Sequence, residues 1–290
     1  MTTVIISSTQ DAASTNIKES LFSLSDWDEV NTFLNEPVYR NKNLNDVLMV
    51  TIRDKIINHE NIEEQIKNEL DVVAQTAIFI SRHRSKSGKP TLTVHPIGNY
   101  GEATFGGKDK TVCTALPMMM SELLRMMNDF ANTKNLYHSV SYEVTHHGPF
   151  MSIPTLFAEV GSTPDEWKKK QPAEIVAKSV LKVLSNYETK ENYADDISVL
   201  VGMGGGHYAP RFTKVALQKK VAFGHMIPSY HIKPGHIDRN MFEKTLQQTP
   251  GVNGVYLDRK ALSKSIKTQF KTWCEDINMP LVSSKDFRPL

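Results

Sequence analysis

The sequence predicts an α/β protein: a three-layer sandwich around a mixed, mostly parallel sheet. Three observations support this reading. Strand-like runs rich in β-branched residues alternate with helix-length amphipathic segments along most of the chain. Helix punctuation falls between the runs. The clearest case is Thr163-Pro164-Asp165-Glu166, with Thr as N-cap, Pro at the first helical position and Glu reaching back from the third. The 290 residues are enough for an ample core, as one large domain or two modest ones. No internal repeat or clear linker divides them. A single α/β domain over residues 1–290 is expected, and Lys233–Gly235 is the best candidate for a subdomain seam.

The elements follow in order. Val4–Ser7 is a first strand, and Asp11–Leu24 a helix with Ile17, Leu21 and Leu24 on one face. Leu48–Ile52 is a short strand, and the charged stretch Asn61–Leu70 favours helix. Thr76–Ser81 and Leu92–His95 are strands joined by the polar turn SKSGKP. Pro117–Asn132 carries Met119, Met120, Leu123, Leu124, Met126, Met127 and Phe130, a helix whose methionine stripe is core packing. Tyr137–Thr145 alternates as YHSVSYEVT, a half-exposed strand, and Pro154–Val160 is another. Pro172 then restarts or kinks the helix begun at Thr163, and Ala173, Val176, Ala177, Val180, Leu181 and Leu184 share an apolar face. Ile197–Val201 is a buried strand that opens into the glycine turn of VGMGGGHYAPR. Val221–His225 is a strand, Met241–Thr249 a helix, Val252–Leu257 a strand and Ala261–Trp273 a helix.

Composition narrows the function classes. No apolar run reaches membrane-spanning length. The start MTTVIISSTQDAAS lacks the basic and long apolar regions of a signal peptide, so a cytoplasmic protein is expected. The net charge is +2, which gives no global basic field for a polyanion; Arg82–Lys86, Lys168–Lys170 and Lys219–Lys220 are only local basic clusters. Two distant cysteines, Cys113 and Cys274, exclude a zinc ribbon and a disulfide framework, so any metal must rest on His, Asp and Glu. HExxH and GxSxG are absent, and the glycine run is neither GxGxxG nor a P-loop.

The ten histidines are the strongest chemical signal. His83, His95, His146 with His147, His207 and His225 each follow a predicted strand. Ligands of open α/β sheets bind outside the carboxyl ends of strands, so these imidazoles are expected to converge there. Three imidazoles and a water can hold zinc, which lowers the water's pKa to about 7; metal-free base catalysis by histidine is the competing use. In strand geometry His146 and His147 point to opposite faces. The amides after Gly204, Gly205 and Gly206 could hold a phosphate, a carboxylate or a developing oxyanion. Asn99, Tyr100 and Glu102 could line the same region, and Glu159 is a candidate base or partner for a histidine.

The blocks SSTQDAASTNI (7–17), SRH (81–83), HPIGNYGEATFGG (95–107), THHGP (145–149), PTLFAEVGSTPDEW (154–167), GGGHYAPR (204–211) and GHMIPSY (224–230) resemble, in order, the archaeal and plant type of D-aminoacyl-tRNA deacylase. The likeness is loose beyond about Pro234. It implies hydrolysis of the ester joining a D-amino acid to the 3′ CCA end of tRNA. It also implies zinc, a monomer, and a fold likened to phosphorylase/hydrolase-like and peptidyl-tRNA hydrolase-like architectures. On this reading His95, His207 and His225 hold the metal, and His146 or His147, with His83, move protons. Gly204, Gly205 and Gly206 face the oxyanion. Asn99, Arg82 and Arg211 bind substrate, helped by Arg84 and Lys86, and Tyr100 or Tyr208 stacks on the CCA end. The rival readings are a peptidyl-tRNA hydrolase or nucleoside phosphorylase relative on another substrate, and a non-catalytic RNA-binding module.

Overall fold

The computed structural model describes residues 2–44, 46–187, 196–233 and 235–290. The expected α/β sandwich is present. Its main sheet is built from β1 (Thr3–Ser8), β2 (Trp27–Phe33), β3 (Glu36–Asn41), β4 (Val47–Ile52), β5 (Thr76–Arg84) and β6 (Thr91–His95), and, after a short pair β7 (Gly98–Asn99) and β8 (Thr111–Val112), from β9 (Ser139–Tyr142) and β10 (Thr155–Ser162). The strand order is β2-β3-β4-β1-β5-β10-β6-β9. The centre, β4-β1-β5-β10, is parallel; β6 runs antiparallel to β10, and β9 runs parallel to β6.

One face of this sheet is apolar throughout. Ile78, Ile80, Leu92, Val94, Leu156, Ala158 and Val160 pack there against three helices, α1 (Ala12–Leu24), α3 (Pro117–Thr133) and α5 (Lys170–Tyr187). The apolar periods of those segments dictate this, because each presents its buried stripe to the sheet. Asp11 caps α1 by accepting from the Ala13 and Ser14 amides. The methionine stripe is core, with Met119, Met120 and Met127 fully buried. On the opposite face an apolar cluster joins Val4, Ile6, Leu48 and Val50 to Ile62 and Ile66 of α2 (Ile62–Leu70) and extends to Phe79 of β5 and Phe157 of β10.

The later strands make a second sheet. β11 (Ser198–Met203), β12 (Val221–Ile227), β13 (Val252–Leu257) and β14 (Leu281–Val282) pair in parallel in the order β12-β11-β13-β14. The helices α6 (Pro210–Ala216), α7 (Ser229–Ile232), α8 (Arg239–Gln247) and α9 (Lys264–Asp276) belong to this half, and the short α4 (Pro164–Trp167) follows β10. Leu200, Phe212, Phe223 and Met226 join the same apolar cluster as α3, so that helix packs between the two sheets. The seam suggested at Lys233–Gly235 has Pro234 outside the described residues. Among the described residues no helix is long and apolar enough to cross a membrane.

Two local expectations are corrected. Thr163 makes no side-chain cap bond, and Glu166 does not reach back to it. Glu166 instead pairs with Lys169 at 2.7 Å and His138 at 3.0 Å. The strand expected over Tyr137–Thr145 ends at Tyr142, and Glu143, Val144 and Thr145 beyond it are fully buried rather than half-exposed.

Candidate active site

The site begins as a patch of polar residues on the open face of the main sheet. The register aligns Phe157 with Phe79 and His95, Glu159 with Ser81 and Thr93, and Gly161 with His83 and Thr91. Paired residues share a face, and so do positions two apart. All nine therefore point away from the three helices. Glu159 accepts from Ser81 Oγ at 2.6 Å and Thr93 Oγ1 at 3.4 Å. Gly161 is required by space. A Cβ there would lie 2.5 Å from Thr91 Oγ1 and 2.8 Å from the His83 ring, so any side chain would push the imidazole off the strand.

Because β6 is antiparallel, His95 arrives from the opposite direction to His83. The centre is thus a patch on a sheet face rather than a row along a strand edge. It is completed by the segment after β9, held between the two sheets. Glu143 N–H bonds Val94 O of β6 at 3.1 Å, Val144 N–H bonds His207 O at 2.9 Å, and Thr145 N–H bonds Met226 O of β12 at 3.0 Å.

Five imidazoles gather here: ring centroids lie 4.2 Å apart for His95 and His146, 4.3 Å for His146 and His147, 4.7 Å for His146 and His207, and 5.5 Å for His207 and His83. Glu143, fully buried, stands among them. Its carboxylate lies 3.0 Å from His83 Nδ1, 3.3 Å from His146 Nε2 and 2.7 Å from His207 Nε2. The ring N–H directions are poorly aligned with its oxygens, which leaves both without a well-formed hydrogen bond.

Three of these rings are fixed in one tautomer. His95 Nδ1 faces Pro96 O at 3.1 Å, His146 Nδ1 faces Val144 O at 2.7 Å, and His147 Nδ1 faces Gly148 O at 2.6 Å. A carbonyl only accepts, so each Nδ1 carries the proton, and in the neutral ring Nε2 carries the lone pair. The three residues offer ring nitrogens within 4.8 Å of one another. His95 Nε2 is buried without a hydrogen-bond partner and lies 3.7 Å from Glu159 Oε2. Imidazoles whose Nδ1–H is held by backbone present Nε2 as a ligand atom, the usual zinc-ligand arrangement. His83, Glu143 and His207 form a second group of metal-binding spacing.

Electrostatics separate the rings. Burial opposes charge on His83, but Glu143 and then Glu159 outweigh it and push its pKa up to about 10. Burial and the neighbouring His95 push His147 down to about 4. Burial, then His95 and His147, hold His146 well below the usual range. Burial disfavours the Glu143 anion, yet His207 and His83 prevail and hold it well below the usual carboxylate range. His95 is raised: burial opposes its charge, and Glu159 overcomes that.

Several residues expected in the site lie elsewhere. His225 is fully buried, with Nε2 2.8 Å from Cys113 O and Nδ1 3.0 Å from Thr145 Oγ1. Both nitrogens are committed, so the metal role expected for it is withdrawn. Arg82 points to the other face of β5, where it stacks on Trp167 at 5.2 Å and donates to Gln10 O. Arg211 turns to Tyr256 and Ser284. Asn99 is spent on Gly106 O at 2.9 Å, where it pins a loop. Tyr100 is fully buried and has no face for a base. The Gly204 N–H is bonded to Ile227 O. Gly204 and Gly205 adopt φ of 104° and 83°, which glycine alone takes readily, and among the described residues no backbone carbonyl accepts from the Gly205 or Gly206 amide. Tyr208 does reach the site, with its hydroxyl 3.0 Å from His83 Nε2. Glu143 was missed by sequence reasoning; its one signal is the spacing Glu143–His146.

His225 carries a pH prediction. Burial lowers its pKa to about 4 from 6.5. Between those values the unfolded chain binds more protons than the folded one, so stability falls as pH drops from 6.5 to 4 and levels off below. The loss assigned to this ring is about 3 kcal/mol. Urea midpoints of the wild type and His225→Asn across that window check it; the variant should show the smaller pH slope.

Fold and site together define an α/β protein with a buried histidine–glutamate centre whose donor spacing could hold a metal ion. A family model described as D-aminoacyl-tRNA deacylase matches residues 70–282. Relatives of that name from Thermococcus onnurineus and Pyrococcus abyssi are 35% and 34% identical, each covering 96% of this chain and 98% of the relative. The crystal structure of a conserved protein of unknown function, AF0625, superposes with a TM-score of 0.88 at 28% identity, over 100% of this chain and 99% of that one. The chain belongs to the D-aminoacyl-tRNA deacylase family.

Proposed function

We propose that the histidine–glutamate centre hydrolyses the ester joining a D-amino acid to the 3′ end of tRNA. The observation that carries this reading is the set of three imidazoles with Nδ1 held by backbone carbonyls and ring nitrogens within 4.8 Å of one another, beside Glu143 and Glu159. His95, His146 and His147 would hold zinc. Bound there, zinc supplies Lewis-acid polarisation to ester hydrolysis.

The remaining groups divide the proton work. Glu143, 2.7 Å from His207 Nε2, favours the proton on that nitrogen by its charge, so Nδ1 carries the free lone pair, and with 35% of its side chain exposed this ring is the one open to substrate. His207 takes the proton of the attacking water and returns it to the ribose oxygen as the ester breaks. His83, kept charged by Glu143 and bonded to Tyr208, provides fixed positive charge for the oxyanion, together with the Gly205 and Gly206 amides. This exchanges two roles expected from sequence: His146 and His147 act as ligands, and His207 as the base. Arg84 and Lys86, exposed at and just beyond the end of β5, would meet tRNA phosphates. A monomer acting in the cytoplasm accords with this reading.

The test is hydrolysis of D-Tyr-tRNA, L-Tyr-tRNA and N-acetyl-aminoacyl-tRNA side by side. Release from the D-ester should exceed that from the L-ester by about 10²-fold or more. Equal rates on both esters, or preference for the N-acetylated substrate, would point to the peptidyl-tRNA hydrolase reading instead.

A further inference from the structure

A cavity of about 450 Å³ opens between β9 and α6, with Tyr208 among its lining residues. Two of its lining residues also touch the centre. Tyr208 bonds His83, and Thr91 lies beside His83 above Gly161. Its walls are apolar at Val140 and Leu217, and Lys89 and Lys214 stand exposed at its rim.

Two features show unmet hydrogen-bonding capacity. Thr91 Oγ1 is buried, at 3% residue exposure, and has no partner. Among the described residues β9 is the last strand of its sheet, so its outer edge has no strand partner there. The outward amides of Tyr142 and Val144 are taken by Thr213 Oγ1 at 3.0 Å and His207 O at 2.9 Å. Val140 precedes them in the same outward series and lines the cavity. An extended residue presents its N–H and C=O to the same side, which gives a donor beside an acceptor at the cavity wall.

We propose that this cavity receives the 3′-terminal adenosine of the aminoacylated RNA. The proposal rests on the reading of the centre as a D-aminoacyl-tRNA esterase. An adenine edge has an amino donor next to a ring-nitrogen acceptor, the complement of the Val140 main chain. The apolar walls and the Tyr208 ring suit a purine face. Lys89 and Lys214 suit the adjoining phosphate. Tyr208 then links the nucleoside to His83, which places the ribose end, and so the ester, at the catalytic groups.

Binding of AMP and IMP to the full chain is measured by calorimetry, alongside steady-state kinetics on D-Tyr-tRNA for wild type and Leu217→Trp. AMP should bind, inhibit competitively, and exceed IMP by about tenfold, because IMP reverses donor and acceptor. Leu217→Trp should abolish AMP binding and raise KM by about tenfold, with a much smaller change in kcat. Lys214→Ala, at the exposed rim, is the second variant if the first fails to fold; it should weaken AMP and leave adenosine unaffected. Equal binding of AMP and IMP, or an unchanged KM in Leu217→Trp, overturns the proposal while hydrolysis of D-Tyr-tRNA stands. So does a variant that reorders the preferred D-amino acids without altering AMP binding, since the cavity would then hold the side chain. AMP binding by a wild type that spares D-Tyr-tRNA would leave the nucleoside site intact and defeat the esterase reading.

Discussion

Glu143→Gln is expected to lower kcat on D-Tyr-tRNA by about 10²–10⁴-fold, the range for loss of general acid–base function, with KM changed only a few-fold. Glu143 is fully buried beneath the rings it orients, so it does not itself bind substrate. Gln keeps the shape and removes the charge. One of its two polar atoms becomes an amide NH₂, and an NH₂ cannot accept the N–H of His207 or His83, whichever it faces. If His207 loses the carboxylate oxygen beside its Nε2, its tautomer is no longer set and Nδ1 ceases to be a dedicated base. Without the carboxylate, His83, whose pKa of about 10 depends on Glu143, loses the main support for its charge, and its pKa falls with Glu159 left to oppose burial. Retained tRNA affinity with lost turnover would also separate an enzyme from an RNA-binding module. A folded variant, checked by thermal melting, whose kcat stays within tenfold of wild type would remove Glu143 from the mechanism.

The place of Glu143 shows where the sequence stopped being legible. In YHSVSYEVT it alternates with apolar residues, and alternation alone assigns it to a wetted face. Its burial comes from two distant partners, the loop at His207 and β12, which close over residues 143–145. The direction of β6 was hidden for a similar reason: Thr91–His95 has the same pattern whichever way it pairs, and non-local packing decides. The hairpin of β2 and β3 left no trace because five consecutive residues of β2, Asp28–Thr32, are exposed, so no apolar period marks it. By contrast α1, α3, α5 and β13 were readable within a few residues, since each carries its own burial period. Five of the six histidines singled out at strand ends do meet. The sixth, His225, shows the limit of position as a guide: a strand end says where a ring is delivered, not whether Cys113 O and Thr145 Oγ1 will occupy both of its nitrogens.

Metal dependence yields the other large expected effect. Chelation of the full chain should lower kcat/KM on D-Tyr-tRNA by about 10³-fold, since Lewis-acid stabilisation contributes several kcal/mol, and added zinc should restore it. His147→Asn should lose zinc as well as activity. His147 sits at φ 42°, in the left-handed region that Asn tolerates better than most side chains, so the substitution tests the ligand rather than the backbone. Loss of even an outer partner of a zinc ligand costs 10–100-fold in affinity; loss of a ligand should cost about 10²-fold or more, measured by competition with a chromogenic chelator. His147, with its pKa near 4, enters neutral at pH 5–7 and has no proton to shed on binding. His95 is raised by Glu159 and must shed one, so zinc affinity should increase with pH while that proton is lost. Full activity in protein shown by elemental analysis to hold no metal would instead make these three imidazoles a proton-handling array around Glu143 and Glu159, and the orphaned Nε2 of His95 would then need a proton, not a metal ion, to sit against Glu159.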